Sequence, residues 1–182
     1  MDKGQNLVWV DMEMTGLEPD KHRILEIAIV ITNSDLKVLG KPVELVVHQP
    51  KTVLTKMNKW CRENLDPDLL KKVSESKLTV REAEKEIMKI ISKYCDVKKG
   101  LLAGNSIHND RLFLDKYMPR ITNYLHYRLI DVTTLKELTK RWRPELRGVV
   151  EKMKEDKKHR AMEDIMMSIA ELRFYRKVIF EK

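Results

Sequence analysis

Two carboxylates stand two residues apart in an otherwise apolar stretch, Leu7-Val8-Trp9-Val10-Asp11-Met12-Glu13-Met14. In a strand, residues two apart point the same way, so Asp11 and Glu13 share one face while Val10, Met12 and Met14 take the other. Ionised carboxylates removed from water are costly and repel each other, so such a pair makes sense mainly when cations neutralise it. Further acids fall where a strand ends or a helix begins: Asp110 in Gly104-Asn105-Ser106-Ile107-His108-Asn109-Asp110, and Asp164 in His159-Arg160-Ala161-Met162-Glu163-Asp164. Oxygen donors of this kind select hard divalent cations, magnesium or manganese. Two such ions about 4 Å apart activate a water and stabilise the leaving oxygen of a phosphodiester. The chemistry also needs a base, and His159 is the candidate, since a neutral imidazole takes up a proton near neutral pH. The five-residue step from His159 to Asp164 carries the two groups well around a regular helix, which places His159 on the loop ahead of it.

The elements that must hold these groups are readable from pattern. A turn-rich stretch, Thr15-Gly16-Leu17-Glu18-Pro19-Asp20, separates the first strand from Ile24 to Thr32, a β-branched run, and Leu36 to Val47 continues the pattern with a break at Gly40-Lys41-Pro42. Three consecutive strands of this kind pair as a meander. Asp66-Pro67 reads as a helix N-cap with proline at the first helical position. Thr79-Val80-Arg81-Glu82 is a capping box that opens a helix with Val80, Ala83, Ile87, Ile90, Ile91 and Tyr94 at helical spacing. Leu101 to Gly104 is a short buried strand, followed by a helix with Phe113, Leu114 and Tyr117 on one face that Pro119 stops. Leu129 to Val132 and then Leu135, Leu138 and Trp142 repeat the strand-to-helix design, with Asp131 as an N-cap rather than a ligand. Arg143 to Lys158 reads as a surface connection. The last helix carries Ile165, Ile169, Leu172 and Ile179. Strand-helix alternation after a meander predicts an α/β layered fold, a mixed central sheet flanked by helices.

At 182 residues the chain is long enough for one domain, expected to span 1–182. Its formal net charge of +8 suits a polyanionic partner such as nucleic acid better than a membrane. The amino terminus lacks a signal core or transit pattern, and no apolar run is long enough to cross a bilayer, so a cytoplasmic location is expected. Cys61 and Cys95 have no CxxC spacing and read as free thiols.

The segments Asp11 to Leu17, Gly104 to Asp110 and His159 to Asp164 together resemble the three motifs of the DEDD exonuclease superfamily, histidine subclass. Met57 to Cys61, Phe113 to Pro119 and His126 to Val132 resemble, more narrowly, the oligoribonuclease family, and the likeness covers nearly the whole chain. That resemblance implies a ribonuclease H-like exonuclease fold, a homodimer, and hydrolysis of short single-stranded RNA, dinucleotides especially, from its 3′ end to nucleoside 5′-monophosphates. It makes Asp11, Glu13, Asp110 and Asp164 ligands of two divalent ions and His159 the general base. Leu17 and Trp60 match residues that stack on or wedge between bases, a contact tolerant of base identity. Ser106 and Thr133 match contacts to a 5′ phosphate, and Tyr127 and Arg128 match residues contributed by the neighbouring subunit.

One segment departs from the family. Where many relatives carry a His-containing, Gly-rich loop after Trp60 that holds the 5′ phosphate, this chain has Arg62-Glu63-Asn64-Leu65-Asp66-Pro67. Arg62, Lys59 and Asn64 are the candidates to replace it, since a guanidinium also holds a phosphate. Thr133 stands where serine is commoner and keeps the hydroxyl. Competing readings are a DNA-trimming or proofreading exonuclease of the same superfamily, and a nucleic-acid-binding module without chemistry. Taken singly, the acids also read as salt-bridge partners or helix caps, and Trp60 as core.

Overall fold

The computed structural model describes residues 3–146 and 160–181. Strands β1 (Leu7–Met14), β2 (Ile24–Thr32) and β3 (Val38–Val46) form the expected antiparallel meander. After four helices, α1 (Lys51–Leu54), α2 (Lys59–Asn64), α3 (Pro67–Glu75) and α4 (Val80–Tyr94), strand β4 (Leu101–Gly104) returns parallel to β1. Helices α5 (His108–Tyr117) and α6 (Pro119–Tyr124) lead to β5 (Leu129–Asp131), which pairs parallel with β4. Helix α7 (Val132–Trp142) and helix α8 (Ala161–Tyr175) follow, and a π-helical turn, Arg176–Phe180, closes the described chain. The sheet order is β3-β2-β1-β4-β5, with the acid-bearing strand in the middle. This is a ribonuclease H-like arrangement.

β1 has two apolar faces, as its sequence requires. Val8, Val10, Met12 and Met14 join Ile27, Ile87, Ile91, Phe113 and Leu114 in one buried cluster. Trp9 packs on the opposite face with Ala28, Val30, Ala103, Ile165 and Ile169, and its indole N–H donates to the Thr32 hydroxyl at 2.9 Å. Asp11 and Glu13 therefore continue the Trp9 row toward α8. A third cluster, Leu25 with Met57, Cys61, Leu65, Leu69 and Val73, seats α2 and α3.

Several local signals acted as written in the sequence. The Thr79 hydroxyl accepts from the Glu82 N–H while Glu82 accepts from the Thr79 N–H, completing the capping box. Asp66 caps α3 through the Asp68 N–H, and Asp131 caps α7 through the Thr133 N–H at 3.0 Å. Pro119 ends α5 as expected but also serves as first residue of α6, where its missing N–H costs nothing. Helices α1 and α2 fall in a stretch to which the sequence reading assigned no element, and at four and six residues they are too short to show a period. The expected connection from Arg143 to Lys158 falls mostly outside the described residues.

Gly104, the last residue of β4, is glycine for a steric reason. A Cβ there would meet the Val10 carbonyl oxygen at 2.9 Å and the Ile107 side chain at 3.0 Å. Replacing Gly104 with Ala must push β4 away from β1 beside Asp11, an overpacking cost of about 1–3 kcal/mol. Thermal unfolding should show the midpoint of Gly104→Ala lowered by roughly 3–10 °C; an unchanged midpoint would mean that the strands separate freely there.

Candidate active site

Asp11 and Glu13 reach the end of β1 on the face covered by α8, and Asp164 enters from the first turn of α8, where its N–H donates to the Arg160 carbonyl at 3.1 Å. These three residues each present a carboxylate oxygen within 4.8 Å of the others. Glu13 is 9 % exposed and Asp110 5 %. Asp110 comes from the first turn of α5 and stands outside that mutually close set, but its carboxylate accepts the Met12 N–H as well as its own. β4 pairs with β1 only from Leu7 to Trp9, so Met12 has no strand partner on that side, and Asp110 supplies the acceptor.

Burial, followed by the charges of Asp110, Asp164 and Glu13, raises the Asp11 carboxyl well above its usual range. Burial and then the Asp164 charge push Glu13 up to about 8. Burial likewise pushes Asp110 to about 8, against the two backbone N–H groups that pull it down. An all-oxygen donor set whose members disfavour their own ionisation is what a hard divalent cation would relieve, so the chemistry of this set fits a metal centre.

The sequence reading missed a neighbouring pair. Glu26, fully buried and directly opposite Glu13 in the β1–β2 register, accepts from Arg160 Nη2 at 2.8 Å, from Arg160 Nε at 3.3 Å and from the Ala161 N–H at 3.2 Å. Arg160 also donates to Glu44 at 3.2 Å. This pair anchors the start of α8 four residues before Asp164, and the Arg160 charge lowers the Glu13 carboxyl against its other influences. A lone glutamate amid nine buried strand positions was the signal that could have revealed it. His159 lies outside the described residues.

Leu17 and Trp60, 59 % and 54 % exposed, line one cavity of about 420 Å³ together with Glu13, Gly16, Asn58 and Cys61. Helix α2 is pinned to the end of β1 there. The Asn58 N–H donates to the Thr15 carbonyl at 2.9 Å, the Asn58 side chain caps α2 through the Cys61 N–H at 2.7 Å, and the Cys61 thiol donates to the Met14 carbonyl at 3.3 Å. The site thus joins the carboxylates to an apolar slot through Glu13.

Ser106 and Thr133 are brought together at the start of α7. The Ser106 N–H donates to Thr133 Oγ1 at 2.8 Å and to Asp131 at 2.9 Å, with the two hydroxyls 3.2 Å apart. Behind them, Asn105 accepts from Thr133 and from Lys136 at 2.9 Å and donates to Ser168 and Glu171; Ser168 in turn bonds the Asp164 carbonyl at 2.9 Å. Tyr127 is 71 % exposed, its ring stacked on His126 and 5.5 Å from the Arg128 guanidinium, and neither Tyr127 nor Arg128 is among the residues of the carboxylate cluster or the Leu17–Trp60 cavity. Of the candidates to replace the missing loop, Lys59 pairs with Glu63 at 3.9 Å and Asn64 donates to the Trp60 carbonyl at 2.8 Å, both on or beside the helix that bears Trp60.

A ribonuclease H-like sheet with acids converging from its central strand and two helices defines the class of exonucleases that work through divalent metal. Residues 8–172 match the family described as Exonuclease, of the RNase T type, and the chain belongs to that family, in its oligoribonuclease branch. It is 43 % identical over 178 residues to an oligoribonuclease of Vibrio cholerae, covering 97 % of both chains. It is 46 % identical over 179 residues to the human mitochondrial oligoribonuclease, covering 98 % of this chain and 75 % of the human one. The fold is similar to exonuclease I of Methylocaldum szegediense, with TM-score 0.71 and 21 % identity over 96 % of this chain and 41 % of the other. An Escherichia coli exonuclease I complex with single-stranded DNA gives 0.67 at 15 % identity, and this chain spans 40 % of that one. Among the described residues no helix is long and apolar enough to cross a membrane.

The raised carboxyls make a signed prediction for the metal-free protein. Their folded values lie above the unfolded ones, so the stability they contribute is complete below about pH 4 and is lost as pH rises toward about 8. Each such group removes about 1.4 kcal/mol per pH unit across its window. In a chelator, the unfolding midpoint should fall between pH 5 and pH 8, and saturating Mn²⁺ should restore it most at the higher pH, where the ligands are ionised. Asp11→Asn should raise the chelator midpoint at pH 8 and shrink the Mn²⁺ shift. A flat pH profile, or an undiminished shift in Asp11→Asn, would refute the assignment.

Proposed function

We propose that this chain is a 3′ to 5′ exoribonuclease that removes nucleoside 5′-monophosphates from short single-stranded RNA, dinucleotides above all. The observation that carries this reading is the placement of the Asp11, Glu13 and Asp164 cluster against a small slot walled by Leu17 and Trp60. A slot of about 420 Å³ has room for a base with its sugar. Stacking between an apolar wedge and an indole accepts any base, as an enzyme clearing mixed fragments needs. The names of its relatives support the substrate class.

In the proposed reaction water attacks the scissile phosphorus, the bond from phosphorus to the 3′ oxygen breaks, and that oxygen leaves with the shortened strand. Asp11, Glu13, Asp110 and Asp164 would hold two divalent ions, Mg²⁺ or Mn²⁺, which when bound supply charge for the attacking and leaving oxygens. His159 takes the proton from the attacking water. Leu17 and Trp60 hold the terminal bases in line with the carboxylates. Ser106 and Thr133, with Arg62, Lys59 or Asn64 in place of the absent histidine loop, close around the 5′ phosphate. Tyr127 and Arg128, exposed and outside the site of their own chain, act in the site of a second copy, so the unit is a homodimer of one exonuclease domain spanning 1–182. A cytoplasmic location accords with the two free, buried cysteines.

RNA and DNA of two to about twenty nucleotides, each with and without a 5′ phosphate, separate the readings. Dinucleotide RNA with the phosphate should turn over fastest in Mg²⁺ or Mn²⁺, and Asp164→Asn should lower kcat about a thousandfold or more without loss of folding. Fastest turnover of long DNA would replace this reading with the DNA-trimming one, and no turnover of any oligonucleotide would favour a binding module.

A further inference from the structure

Leu17 stands on the loop between β1 and β2, and at 59 % exposure its own packing does little to hold it. The loop is closed at its base by the Thr15 N–H donating to the Arg23 carbonyl and the Arg23 N–H to Thr15 Oγ1, both at 3.0 Å. Gly16, at a φ of +155°, lies so close to the His22 ring that a Cβ would collide with Nε2. From the last residue of α5, the Tyr117 hydroxyl reaches between two carbonyls of this loop, 2.6 Å from Pro19 and 2.8 Å from His22. It has one proton and so donates to one of them at a time. Arg23 Nη1 donates to the hydroxyl at 2.7 Å and to the His22 carbonyl at 2.8 Å. The Arg23 guanidinium and the Lys116 ammonium lie 5.4 and 5.6 Å from the Tyr117 ring, and Lys116 pairs with Asp20 of the same loop.

We infer that Tyr117 is a positioning residue for substrate: its hydroxyl fixes the 15–23 loop so that Leu17 stands opposite Trp60, and it sets affinity for the bases without touching them. The inference rests on the proposed base-holding role of Leu17 and Trp60. Tyr117 also shares α5 with Asp110, seven residues earlier, so an effect through the metal ligands is the alternative to exclude. The hydroxyl is the part that matters here, because the ring has separate work against Phe113, 6.0 Å away between centroids.

Tyr117→Phe removes the hydroxyl and keeps the ring. KM for a dinucleotide should rise about tenfold, as loss of one part-buried hydroxyl bonded to a carbonyl and a guanidinium implies. Both kcat and the Mn²⁺ concentration at half-maximal thermal shift should stay within about twofold. Arg23→Met, which removes the donor to the hydroxyl and leaves Tyr117 intact, should move KM the same way and carries the test if Tyr117→Phe does not fold. In a Leu17→Ala background, adding Tyr117→Phe should change KM by less than about twofold, because the two act on one contact. Unchanged KM in Tyr117→Phe, fully additive losses with Leu17→Ala, or a weakened Mn²⁺ midpoint would each overturn the inference. An unchanged KM in Leu17→Ala alone would overturn the base-holding role and the inference together, whereas a raised KM in Leu17→Ala with none in Tyr117→Phe overturns the inference only.

Discussion

Asp11 and Glu13 share a face of the central strand, Glu26 lies across from Glu13 in register, and Asp110 and Asp164 arrive from two helices. Like charges brought this close and away from water oppose the fold unless each is given a partner. Glu26 and Asp110 are held by groups of the chain itself. Glu26 takes the Arg160 guanidinium and the Ala161 N–H, and Asp110 takes the N–H of Met12 that β4 is too short to reach. For Asp11 and Glu13, burial and the surrounding negative charge remain the leading influences, and with Asp164 these are the groups whose oxygens come within 4.8 Å. The acids are thereby sorted: Glu26 is settled by the protein, whereas Asp110, pushed to about 8 by burial despite its N–H partners, stays with Asp11, Glu13 and Asp164 as a proposed ligand of the cations.

Arg160 shows how the sorting is maintained. Its fork spans Glu26 and Glu44, so it ties β2 and β3 to the first residue before α8. A buried ion pair is weak grounds for stability by itself, because desolvation offsets much of the attraction. Its position is more informative: it fixes the end of the helix that presents Asp164, and its positive charge sits beside Glu13 without filling the cluster. The other end of the same turn is held by Ser168, which bonds the Asp164 carbonyl and is itself held by Asn105.

How much of this was legible follows from the range of the interactions. The meander, the capped helices and the strand-to-helix acids depend on neighbours in sequence, so period, proline and capping residues declared them: Asp66, Thr79 and Asp131 each cap the helix they were expected to cap. Asp11 and Glu13 were visible because two charges in an apolar strand are costly without a cause. Glu26 was equally anomalous in Ile24–Thr32, yet its partner lies 134 residues away, and no local rule joins them. Helices α1 and α2 escaped for the opposite reason, since four and six residues show no period; what holds α2 is the Asn58 cap and the contacts of Thr15 and Met14 across the fold. The roles of Leu17, Trp60, Ser106 and Thr133 came from family likeness, because an apolar residue on a turn and a hydroxyl at a helix start are physically ambiguous.

Helix α5 connects the parts that sequence reading treated separately. Its first turn places Asp110 against β1, and its last residue holds the loop that carries Leu17. A helix of ten residues fixes the span between these two ends, so the separation of Asp110 from the base of the loop that carries Leu17 is set by the regular rise of a hydrogen-bonded helix. On the other side, α2 fixes Trp60 through β1 itself, because the Asn58 N–H and the Cys61 thiol bind carbonyls at the strand's end and just beyond it. Both walls of the slot are thus referenced to the strand that bears Asp11 and Glu13. Leu17 and Trp60 are thereby held at one slot at the end of that strand although more than half of each is exposed.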